Sequence, residues 1–194
     1  MSTINTSDNI VKNIDERFFS LMVTPINDIE KGKEEGHYDY DYEYDNCGFR
    51  KSIYKYISLQ GAKDVKRIYF IPVTERIHVG KEVEYLAKFG KKPVTHAPNY
   101  LLGVLAQCKQ KDLPEELKSK DIVAVPTEEF DVVYRENLIT EPAEESELLY
   151  PDNPPCILHC YQGDGGRGLN WMSWVYPWDT DDNRVFLAED IEEK

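Results

Sequence analysis

Lys66-Arg67-Ile68-Tyr69-Phe70-Ile71-Pro72-Val73 is the longest β-branched and aromatic run in the chain. A continuous apolar run, bounded by charge on one side and a turn on the other, reads as a strand buried on both faces. Helices before and after it are expected to pack on the sheet. Pro72 has no N–H to give to a ladder, and pairing is expected to fail near that end.

Helical spacing brackets this run. Ser7 caps a pattern carrying Ile10, Val11, Ile14, Phe18, Leu21 and Met22, with a short strand over Phe18–Val23 as the alternative. Phe49, Ile53, Tyr56 and Ile57 suit a helix closed by Gly61. Val79, Val83, Leu86 and Phe89 suit another, closed by Gly90. Pro98 suits the start of a fourth, carrying Leu101, Leu102, Val104, Leu105 and Cys108. A short helical turn is expected after Pro114. Strands are expected over 121–126 and 130–134, joined as a hairpin by Thr127-Glu128-Glu129. Residues 136–155 then turn acidic and proline-rich, as in a surface connection. Three further strands follow, Ile157–Gln162, Asn170–Tyr176 and Arg184–Glu189.

The fold class expected is therefore α+β. A mixed sheet is centred on residues 66–73 with helices packed on it, and the C-terminal β portion is antiparallel. The 194 residues are expected to form a single domain: an α+β body over 1–135, the connection over 136–155 and the β portion over 156–194.

Charge is segregated along the chain. Residues 1–60 hold 7 Lys/Arg and 11 Asp/Glu, residues 61–120 hold 12 and 7, and residues 121–194 hold 4 and 18, so the thirds carry −4, +5 and −14. Such an acidic surplus repels nucleic-acid backbone and attracts basic protein surfaces. The competing expectation is that the lysines of the middle third cancel the carboxylates of the last. No stretch approaches the roughly 18 apolar residues of a membrane span, and Met1–Thr6 has neither a basic nor an apolar leader, so a cytoplasmic protein is expected. Cys47, Cys108, Cys156 and Cys160 are spaced irregularly and read as reduced thiols.

Five constellations merit weighing. From Tyr38 to Asp45 the chain alternates strictly, so that in a strand Tyr38, Tyr40, Tyr42 and Tyr44 share one face and Asp39, Asp41, Glu43 and Asp45 the other. Unrelieved carboxylates need water, a cation or a basic partner, and an edge strand or acidic loop accounts for them equally. The late glutamate and glycine of a calcium loop are missing, so no metal is expected. Gly163, Gly165, Gly166 and Arg167 form the second: glycines let amides converge on an anion, and Arg167 adds a fork. A plain hairpin connection explains the same residues. Trp174 and Trp178 belong to an aromatic face suited either to a core or to binding. The catalytic candidates are His96, His159 and Arg167, with Glu82 and Glu84 placed to assist His78. No nucleophile–base signature accompanies them. Cys156 and Cys160 face one side of a strand and His159 the other, which is poor geometry for zinc.

The function expected is that of an acidic cytoplasmic protein engaging a basic protein partner, for example an immunity or inhibitor protein masking a nucleic-acid-binding surface. Neither direct nucleic-acid or membrane binding nor any cofactor is expected. The alternatives are a small enzyme acting on a phosphorylated or nucleotide-like substrate, and a viral or phage assembly subunit that would form a homo-oligomer.

Overall fold

The structure is a computed structural model and describes residues 15–27, 61–107, 114–127, 132–134, 155–163, 166–175, 177–180 and 183–191. The expected helices over 7–14 and 49–57, the Tyr38–Asp45 tract and the connection over 136–154 lie outside them.

Among the described residues the chain folds as a mixed sheet with a few helices. The strands are β1 (Ser20–Val23), β2 (Lys66–Pro72), β3 (Lys91–Pro93), β4 (Asp121–Val123), β5 (Val132–Tyr134), β6 (Pro155–Gly163), β7 (Gly166–Ser173) and β8 (Arg184–Asp190). The helices are α1 (Glu82–Ala87) and α2 (Ala97–Gln107), with a 3-10 turn at Glu115–Leu117. None of these helices is long and apolar enough to cross a membrane.

The strand order is β1-β2-β8-β4-β6-β5, with β3 also on β8 and β7 also on β6. Residues 66–72 are buried as expected, but they do not lie at the centre. That place belongs to β8, the last strand in the sequence. One edge of β8 pairs antiparallel with β2, from Tyr69–Ala188 to Pro72–Val185. Its other edge is shared: β4 runs parallel beside Arg184–Phe186, and β3 antiparallel beside Ala188–Asp190. Strand β6 is shared in the same way, with β4 and β5 on one edge and β7 on the other. The ladder Val73 N–H to Arg184 O, 3.0 Å, continues one residue past Pro72, so the proline does not end the pairing at once.

Two further expectations are corrected. Ser20–Val23 is a strand, not the end of a helix: its Leu21 and Val23 turn inward while Met22 stays exposed, a period of two. Strands β4 and β5 are not a hairpin. Both pair with β6, at Cys160–His159 and at Ile157–Pro155, and so lie end to end along one strand. Of the three C-terminal strands, β6 and β7 form the expected hairpin, closed at Gly163–Gly166, while β8 leaves it to enter between β2 and β4.

Alternation along the strands sorts the core into two layers. Ile68, Phe70, Leu158, Cys156, Cys160, Val185 and Leu187 face α2. Tyr69, Ile71, Ile157, Phe186 and Ala188 face α1 and Trp178. Helix α2 is buried from Ala97 through Leu105 and packs so tightly on β1 that a Cβ at Gly103 would lie 2.2 Å from the Thr24 carbonyl oxygen.

Candidate functional site

The α1-side layer holds a polar cluster at the end where β8 begins. Glu82, the first residue of α1, is 1% exposed. Its Oε1 accepts the indole N–H of Trp178 at 2.7 Å and of Trp174 at 2.8 Å. Helix α1 presents Glu82, Tyr85 and Leu86 inward because they recur at three and four residues. Trp178 stacks edge-on to Phe186, 5.2 Å between centroids, and the Arg184 guanidinium lies 5.3 Å above the Trp178 ring. Tyr85 closes the same region, donating to Pro72 O at 2.5 Å and accepting from Thr74 N–H at 3.1 Å.

His159 shares this face, because Ile157, two residues before it, does. Burial, then the positive charge of Arg184, pushes its imidazole from 6.5 down to about 4. At neutral pH it is an uncharged ring, and a base that weak is poorly matched to proton abstraction near pH 7.

The opposite end of β8 carries a second charged group. Lys91 is 4% exposed. Its Nζ lies 2.8 Å from Asp190 Oδ1, 3.1 Å from Asp15 Oδ2 and 3.9 Å from the centre of the Tyr69 ring. Burial disfavours its charge, but hydrogen bonds to Asp190 and Asp15 outweigh that and hold its pKa above the ordinary value. A hydrogen bond from Arg17 holds the Asp15 carboxyl well below the usual carboxylate range. On the other sheet face Glu189 takes Lys66 at 2.6 Å and Lys92 at 3.5 Å. Beside it Tyr100 donates to Asp64 O at 2.7 Å, and burial, then Glu189 and Asp64, pushes its phenol up to about 12.

The expected candidates are dispersed. His96 precedes α2 with φ 59°, and its carbonyl accepts Asn99 N–H at 3.0 Å, so its described part is to start a helix. Arg167 lies in β7 opposite Gln162, and Gly163 opposite Gly166 closes the hairpin, while Gly165 is outside the described residues. His96, His159 and Arg167 sit on three different elements, ahead of α2, in β6 and in β7. Glu82 serves the tryptophans instead of His78, and Glu84 pairs with Lys81 at 2.5 Å. Trp178 is 2% exposed and Trp174 half-buried, so Trp178 offers no ring face for recognition. Cys156 and Cys160 are buried thiols in the α2-side layer. No group of three or more metal-ligating side chains occurs among the described residues.

The described part of the acidic last third is not an unopposed field. Glu189 and Asp190 meet Lys66, Lys92 and Lys91, and Asp179 lies 3.6 Å from Arg76. In these positions the middle lysines do cancel the late carboxylates. Sequence reasoning missed Arg184, read Glu82 as a helper of His78, and did not join Lys91 to Asp15 and Asp190. The signal available was a single charge placed within or beside an apolar run, which many surface positions share. No family model, no curated protein and no solved structure matches the chain.

Proposed function

We propose that the protein is a binding protein whose acidic surplus engages a basic protein partner. One observation carries this reading. The chain holds 23 Lys/Arg and 36 Asp/Glu, a net of −13. Residues 121–194 alone hold 4 and 18, a net of −14, more than the whole surplus of the chain. Residues 135–154 alone contain six Asp/Glu and one Lys/Arg, and Asp39, Asp41, Glu43 and Asp45 belong to another such stretch.

Carboxylates tied to lysines contribute little beyond a Debye length, whereas a net surplus attracts cations over longer range. That favours fast, salt-sensitive encounter with a basic surface, as an inhibitor masking a nucleic-acid-binding site requires. The test is affinity capture with the full chain at low salt, followed by binding isotherms of what is captured. The expected result is a basic protein whose affinity falls about tenfold or more when salt rises from roughly 50 to 200 mM. Recovery of no protein, or of one indifferent to salt, ends the proposal.

A further inference from the structure

The peptide groups of β1 alternate between two edges. Phe70 N–H donates to Phe19 O at 3.0 Å, and the register places Leu21 opposite Ile68 and Val23 opposite Lys66. Residues 19, 21 and 23 therefore turn their N–H and C=O toward β2. Ser20, Met22 and Thr24 turn theirs to the outer edge. Strand β1 is last in the described order, so no described strand pairs there.

Gln107, the final residue of α2, reaches that edge. Its Nε2 donates to Met22 O at 2.8 Å, and its Oε1 accepts Thr24 N–H at 3.0 Å. One side-chain amide makes the two bonds that a residue of a parallel neighbour would make, and so occupies two of the groups any adjoining strand needs. The segment Ser20-Leu21-Met22-Val23-Thr24 contains no charge, and Pro25 follows it. Edge strands are commonly blunted by charged residues or prolines. Here the blunting over Met22–Thr24 comes from the glutamine.

We propose that Gln107 is an edge lock, and that its withdrawal lets the Ser20–Thr24 segments of two copies pair antiparallel about a two-fold axis. A second copy is the fitting occupant. An uncharged strand meets itself with no like charges opposed, and Met22 opposite Met22 exchanges both backbone bonds in an isologous contact. Met22 is 47% exposed and would gain cover.

Sedimentation equilibrium on the full-length protein and on Gln107→Ala tests this. The variant self-associates at about tenfold lower concentration than the natural chain. Adding Met22→Pro removes an outward N–H without touching the β2 ladder, and returns the variant to the natural behaviour. At dilution, the Thr24 amide exchanges slowly in the natural chain and faster in Gln107→Ala. Three results overturn the proposal: unchanged self-association in Gln107→Ala, association that survives Met22→Pro, or a Thr24 amide whose exchange is indifferent to the Gln107 side chain.

Discussion

A carboxylate 1% exposed, with two indole donors on one oxygen, is the most constrained polar group on the α1 side. Bonds to a charged acceptor are stronger than neutral ones, and removing the acceptor strands both donors, one of them on a buried ring. Glu82→Ala should therefore cost about 3 kcal/mol in chemical denaturation, with a shift in tryptophan fluorescence, whereas Glu82→Gln keeps an acceptor and should cost no more than about 1 kcal/mol. Equal losses in the two variants would remove the role assigned to the bonds. His159 makes a separate prediction. Its folded pKa, about 4, lies below the 6.5 of the unfolded ring. Between those values the unfolded chain binds the proton and the folded one does not. Stability is thus complete above about pH 6.5 and falls as pH drops toward 4, by about 3 kcal/mol in all. His159→Gln should flatten that part of a stability–pH curve, and NMR titration of the ring should place its midpoint near the lower value. Little of this was legible beforehand. Glu82 reads like any acid in a first helical turn, and its partners lie 92 and 96 residues away.

Helix α2 and strand β1 show why elements were easier to foresee than their contacts. Leu101, Leu102, Val104 and Leu105 marked the helix, and Gly103 among them marked nothing by local pattern. The contact explains the glycine: an added Cβ would meet the Thr24 oxygen at 2.2 Å and Val23 Cγ1 at 2.7 Å. Gly103→Ala gains about 1 kcal/mol of helix propensity and must still push β1 from α2, so a net loss of about 2 kcal/mol is expected from denaturant midpoints. A stabilised variant would mean that α2 and β1 are further apart. Strand β1 matches the alternative reading and not the first, because Phe18, Leu21 and Met22 satisfy a helical period while Leu21 and Val23 satisfy a strand period, and six residues cannot decide between them. Of the three C-terminal strands, β6 and β8 were bounded closely because turn residues flank them, whereas β7 begins at Gly166, four residues before the expected Asn170, and ends at Ser173.

For the whole molecule, charge is the property most unevenly distributed along the chain. Changing Glu141, Glu144, Glu145 and Glu147 together to Gln should weaken capture of a basic partner and flatten its salt dependence. An unchanged isotherm would exclude that stretch from recognition. The sequence by itself determined the α+β class, a buried strand at 66–72, the alternation that splits the core into two layers, and the net charge of each segment. These follow from periodicity and composition, which are local or additive. Only the tertiary structure decided that β8 is the central strand, that β4 and β5 line up along β6, that Lys66, Lys91 and Lys92 are matched to Glu189 and Asp190, and that Glu82 reaches two tryptophans. Each of those joins residues far apart in the chain, and strand order depends on which edges remain open once the other strands have paired.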